Sequence, residues 1–134
     1  MKKARKPVGM HPLIKQAVRA KWNSEAVLAQ IHALTGQDRE KLLAHGSVLF
    51  FVASACAMSM GWTGDEPDAR IVRASVNALD DLAKRPSITD MDRGSLHAGM
   101  LASHRIIEIT DPGVVVEAAI LYDQHSREWE RANA

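Results

Sequence analysis

Six histidines, one cysteine and sixteen acidic side chains are the groups in this 134-residue chain that could do chemistry. A metal site built on helices pairs ligands three or four residues apart, because that spacing puts both on one face. No His-xxx-His, His-Glu-xx-His or Glu-xx-His occurs. The nearest arrangement is His97, His104 and Glu108. Seven residues turn a helix through about 700°, so the two histidines share a stripe, and Glu108 follows one turn on. Yet the histidines then lie two turns apart, about 10 Å along the axis, and one ion would need ligands from another helix to join them. No metal and no cofactor is expected.

Arg39 and His45, in REKLLAH, have the Arg-to-His spacing of the HEPN ribonucleases, and the segment resembles theirs in that respect. The resemblance implies an arginine that stabilises phosphate and a histidine that moves protons. This ribonuclease reading is one alternative for function. Phosphate-binding loops of the GxxxxGK[ST] or GxGxxG type are absent, as is a GxSxG nucleophile elbow. Asp80-Asp81 and the Asp90/Asp92 pair are too close in sequence to face each other across a helix, which suits a solvated face and a helix start. Cys56 lies in the apolar run FFVASACAMSM, where a buried, unreactive thiol is expected. A single cysteine excludes an intramolecular disulfide and suits a reducing compartment, and a cytoplasmic location is expected.

Charge is the other chemical signal. The formal total is +1, from 17 basic and 16 acidic groups. It conceals a separation, because residues 1–22 hold Lys2, Lys3, Arg5, Lys6, Lys15, Arg19 and Lys21 and no acid. The remainder carries ten basic against sixteen acidic groups. The basic segment could contact phosphates, which makes a nucleic-acid-binding accessory protein the second alternative. The acids Asp65, Glu66, Asp68, Asp80 and Asp81 flank one expected helix and would form an acidic face that steers towards a basic partner.

The elements that must position these groups are helical throughout. Residues 1–10 lack periodicity and read as a flexible arm before a single domain over 11–134. Although the chain opens MKKARK, Pro7, His11, Pro12 and Lys15 interrupt the apolar stretch a signal peptide needs. Pro12 suits a first helical turn, and Ile14, Val18 and Trp22 form a stripe. Val27, Leu28, Ile31 and Leu34 continue it, as a second helix or as one bent helix, until Thr35-Gly36, where a left-handed turn is expected. A helix from about Asp38 to Met60 follows. Leu49 to Val52 are four consecutive large apolar residues, which point in every direction around a helix. Residues 48–60 are therefore expected at the centre of a bundle. The uncharged run between Lys41 and Asp65 is long enough to cross a bilayer, but its dense part spans only residues 48–60, and a membrane span is not expected. A fourth helix runs from Pro67 to about Lys84. A fifth is capped by Thr89 with Asp90 and Asp92 in its first turn. A sixth starts at Asp111-Pro112, with Val115, Ala119, Tyr122 and Trp129 facing inward. The fold expected is an all-α bundle of five or six helices with short connections.

The layout from AVLAQIHALTGQ through RASVNALDDLAKR to SLHAGMLASHRIIEI resembles small helical proteins of bacterial phages and plasmids, over about residues 25–130. Some such proteins are anti-defence inhibitors, including anti-CRISPR proteins, that bind a host complex and do not catalyse. The resemblance implies a non-enzymatic protein-binding or inhibitory module, whose partner is another protein or a protein–nucleic-acid complex. It assigns no residue roles.

Overall fold

A computed structural model describes residues 10–133. They form five helices: α1 (Pro12–Thr35), α2 (Arg39–Ser59), α3 (Pro67–Ala83), α4 (Asp90–Glu108) and α5 (Pro112–Ala132). No strand occurs among the described residues. The two segments expected around Asn23-Ser24 are one helix, because the inward face runs through that point unbroken. Trp22, Ala26, Ala29 and Ala33 are its buried residues, at the i, i+4, i+7, i+11 spacing of one stripe.

Helix starts follow the punctuation. Asp38 caps α2 by accepting from the Lys41 amide, and Asp111 caps α5 by accepting from that of Gly113. Thr89 and Asp92 form a reciprocal capping box on α4. The same Asp92 carboxylate also takes both terminal nitrogens of Arg85. That guanidinium and the Thr89 donors hold its carboxyl far below the ordinary carboxylate value. Gly36 departs from expectation. It leaves α1 in an extended conformation (φ −68°, ψ 141°). What demands glycine there is space, since a β-carbon would press on the His32 carbonyl at 2.7 Å. The left-handed glycines are Gly61 and Gly64, in the turn before α3.

α2 is central. It packs against each of the other four helices, and Leu49, Phe50, Val52, Ala53, Cys56 and Ala57 are buried along it. By length and composition it could cross a membrane; in this structure its neighbours are helices of its own chain. The tightest junction joins α2, α3 and α4. The Ser75 hydroxyl bridges Ile71 O on its own helix and Ser95 O on α4, at 2.9 and 2.8 Å. Opposite it, Gly99 leaves no room: a β-carbon would overlap the Ser75 side chain and meet the Phe50 ring at 3.0 Å. Gly46 on α2 meets Leu79 of α3 in the same way, with 2.8 Å to Cδ1.

Two faces differ from those expected. In α1 the large aliphatics Val27, Leu28, Ile31 and Leu34 point outward and alanines point inward. Small residues let α1 settle close against α4 and α2, whose bulky side chains already fill the interior. In α5, Tyr122 packs edge-on against Phe51, with ring centroids 5.4 Å apart. Trp129 lies two turns further on and is 65% exposed, not buried as expected, because the helix has by then run past its neighbours.

Gly99→Ala should destabilise the fold by about 3 kcal/mol, as overpacking of a close backbone contact does. Gly94→Ala, five residues earlier in the same helix with nothing within 4 Å of the added carbon, should stabilise it by up to about 1 kcal/mol. Urea unfolding of the two variants checks both signs.

Candidate functional site

Three arginines, Arg39, Arg93 and Arg19, are occupied at helix C-termini. The last carbonyls of a helix have no partner within it, and a cation placed there satisfies them and opposes the helix dipole. Arg39, at the start of α2, donates through Nε to Arg85 O at 2.7 Å and through a terminal nitrogen to Ala83 O at 2.8 Å, closing the end of α3. Arg93 of α4 donates to Ala33 O and Gly36 O at 3.1 and 2.7 Å, closing α1. Arg19 of α1 donates to Glu108 O at 2.9 Å, closing α4.

This use separates the ribonuclease pair. Arg39 turns towards the end of α3, whereas the His45 ring stacks on His32 of α1, with centroids 4.8 Å apart. Burial, with the neighbouring His32 second, lowers the His45 pKa. Burial likewise raises that of the Cys56 thiol, which is fully enclosed in the core.

The acidic residues divide into two kinds. Asp68 accepts two nitrogens of Arg105 on α4, at 3.1 and 2.7 Å. The Glu66 carboxylate turns back onto the Thr63 and Gly64 amides at 3.0 and 2.8 Å, and its own backbone amide first, with those donors after it, lowers its pKa. Asp65, Asp80 and Asp81 are exposed. Asp80 and Asp81 sit at the far end of α3 from Asp65, about 20 Å away along the axis. Exposed Arg70 and Arg73 stand between them in sequence.

Of the basic residues, Lys2, Lys3, Arg5 and Lys6 lie outside the described residues. Lys15, Arg19 and Lys21 are on α1, and the Lys21 ammonium lies 5.7 Å from the centre of the Trp22 ring. Of the metal candidates, His104 and Glu108 do meet, at 3.1 Å, and His104 Nε2 is also 2.9 Å from Asn23 Oδ1. His97 is not part of that contact. No group of three potential ligands is close enough to hold an ion among the described residues.

His104, Glu108 and Arg19 come together at the rim of a cleft of about 490 Å³, where α1, α4 and α5 meet. Its floor is apolar: Val18, Trp22, Ile107 and Val115. The size falls within the range of small-ligand sites. The cleft's one hydroxyl donates to its own backbone, Thr110 to Ile106 O at 2.6 Å, and His104 Nε2 is held between two oxygens. Among the cleft's residues no free nucleophile is paired with a base, and the floor is apolar.

The other surface feature is larger and was not anticipated. Leu13, Ile14, Val27, Leu28, Ile31 and Leu34 are each between 43% and 68% exposed, all on the side of α1 away from Trp22 and the alanines. On α5, Ile120, Leu121 and Trp129 are exposed to a similar degree. The signal was present in the sequence. α1 carries two apolar stripes, one of alanines with Trp22 and one of aliphatics, and a helix apolar on two sides has two surfaces to cover. No protein-family model, curated protein or solved structure matches this chain.

The depressed His45 pKa has a sign that can be measured. As pH falls below the ordinary value of 6.5, the unfolded chain takes up a proton at this position that the native state resists. Stability is therefore complete at higher pH and declines on acidification through that value. The wild-type melting temperature should drop by a few degrees between about pH 7 and about pH 5. The drop should shrink in His45→Gln; equal slopes in the two proteins would place the titrating group elsewhere.

Proposed function

We propose that this protein works by binding a macromolecular partner and not by turning over a substrate. The observation that carries the reading is the outer face of α1, six half-exposed aliphatic side chains in one stripe on a helix that packs inward through alanines. Contiguous exposed apolar surface of this kind marks interaction sites, because leaving it in water is costly. The engagement of Arg39 by the α3 terminus and of His45 by His32 supports binding over the ribonuclease alternative.

The sequence resemblance to small proteins of mobile elements supports a sharper form, an inhibitory module that occupies a host protein or protein–nucleic-acid complex. In that form the exposed acids Asp65, Asp80 and Asp81 would orient the encounter with basic surface. The nucleic-acid alternative rests on residues 2–21, and the described part of that segment adds little to it. Arg19 is committed to α4, and Lys21 lies on the other flank of the helix from Lys15 and Arg19.

Leu28→Asp with Ile31→Asp should abolish partner capture in a pull-down from bacterial lysate while leaving the far-UV spectrum and melting temperature close to wild type, since both side chains are about half exposed. His45→Ala should retain capture. Capture that survives the aspartates and is lost with His45 would reverse the reading.

A further inference from the structure

We infer that the surface on α1 is covered by a second copy of the same helix, running antiparallel, with Ser24 at the two-fold axis. The inference rests on the reading of α1 as a binding face and names what covers that face when no other partner is bound.

Residue size varies along the stripe. From the N-terminal end its middle row reads Ile14, Ala17, Ala20, Ser24, Leu28, Ile31 and Leu34, with Leu13 and Val27 beside it. The first half is small after Ile14, and the second half is large. When two such stripes run parallel, small faces small and large faces large, leaving a gap at one end and a collision at the other. Run antiparallel about Ser24, Ala17 faces Ile31 and Ala20 faces Leu28, and large residues meet only at the two ends, where Ile14 faces Leu34. Large opposite small is the arrangement that lets two helix surfaces interlock at interior packing density. A few-residue shift in register loses this match, so the sequence specifies the alignment as well as the direction.

Charge agrees. α1 carries Lys15, Arg19 and Lys21 in its N-terminal half and a single acid, Glu25, beyond the centre. Lys15 and Arg19 lie on the inward flanks of the helix, clear of the contact, but a parallel pair would set Lys21 of one copy beside Lys21 of the other. The antiparallel pair separates them and brings Lys21 of each copy beside Glu25 of the second, on either side of the Ser24 axis. Opposed helix dipoles add to the preference.

Area is sufficient. The six aliphatic side chains expose on the order of 500 Å² in each copy, so pairing removes about 1,000 Å² from water before the alanines and charged stems are counted, which brings the contact to roughly the 1,200 Å² at which specific interfaces begin. The stripe extends over about 30 Å of helix, a convex ridge and not a pocket, and suits another helix better than an extended peptide.

Sedimentation equilibrium on the full chain should give a dimer, and Leu28→Asp with Ile31→Asp should weaken it by about a hundredfold or more. In a Cys56→Ala background, Ser24→Cys should form an intermolecular disulfide under mild oxidation, whereas Asp80→Cys, exposed on α3, should not. Lys21→Glu and Glu25→Lys should each weaken the dimer, and the two together should restore it. A wild type that is monomeric up to about 100 µM overturns the inference. The binding face itself would still stand in that case if the aspartate variant lost its captured partner. A dimer that ignores the aspartates, or in which Ser24→Cys fails to cross-link, overturns it as well.

Discussion

The fold depends on how closely three helices approach one another. At the junction of α2, α3 and α4, Gly99 and Gly46 remove the two side chains that would hold the backbones apart, and Phe50 fills the space between them. Ser75 then reaches the α4 carbonyl of Ser95 at 2.8 Å. A serine hydroxyl buried in a core costs stability unless it is satisfied, and that of Ser75 is, because the glycine opposite allows the approach. Once these three helices are fixed, α2 presents one remaining face to α1 and another to α5. That order accounts for the alanines of α1. A central helix as bulky as α2 leaves room for methyl groups on the next helix, and the larger aliphatics of α1 are turned to the other side.

Much of this was legible from residue order. Thr89 is the cap expected, helices do begin at Asp38 and Asp111, where each aspartate caps the first turn, and Leu49 to Val52 do lie at the centre of an all-α bundle. These features are local, or depend on a run of apolar residues so long that any helix bearing it must be enclosed. The orientation of α1 was not legible in the same way. Both of its stripes have helical spacing, and size favours burying Ile31 and Leu34 over Ala29 and Ala33. The choice is made by the volume available beside α4 and α2, a property of the assembled bundle. Trp129 illustrates the complementary limit: its spacing from Tyr122 is right for burial, but α5 has outrun the helices that would cover it.

The partners of the charged candidates were hidden for a similar reason. Arg19 drew attention through its place in the basic N-terminal segment, and Arg39 through its spacing to His45. Their partners are carbonyls at the ends of α4 and α3, separated from them by 89 and by about 45 residues in the chain. Arg93 performs the same task for α1 over 57 residues to Gly36. A helix C-terminus without a glycine in the left-handed conformation needs another donor, and here the donor comes from a different helix. Each such arginine joins two elements, so a basic residue that local sequence assigns to the surface contributes instead to holding the bundle in register.

α1 consequently serves both interior and exterior. Its inward face carries Trp22 and the alanine seam, Arg19 closes α4, His32 supports His45, and its outer face holds the aliphatic stripe. The cleft lined by Val18, Trp22 and His104 opens along the same helix. Anything that binds the stripe rigidifies the element that also forms one wall of the cleft and the cap of α4. Binding energy spent on the outer face is therefore also spent on the stability of the fold, through mass action on the native state.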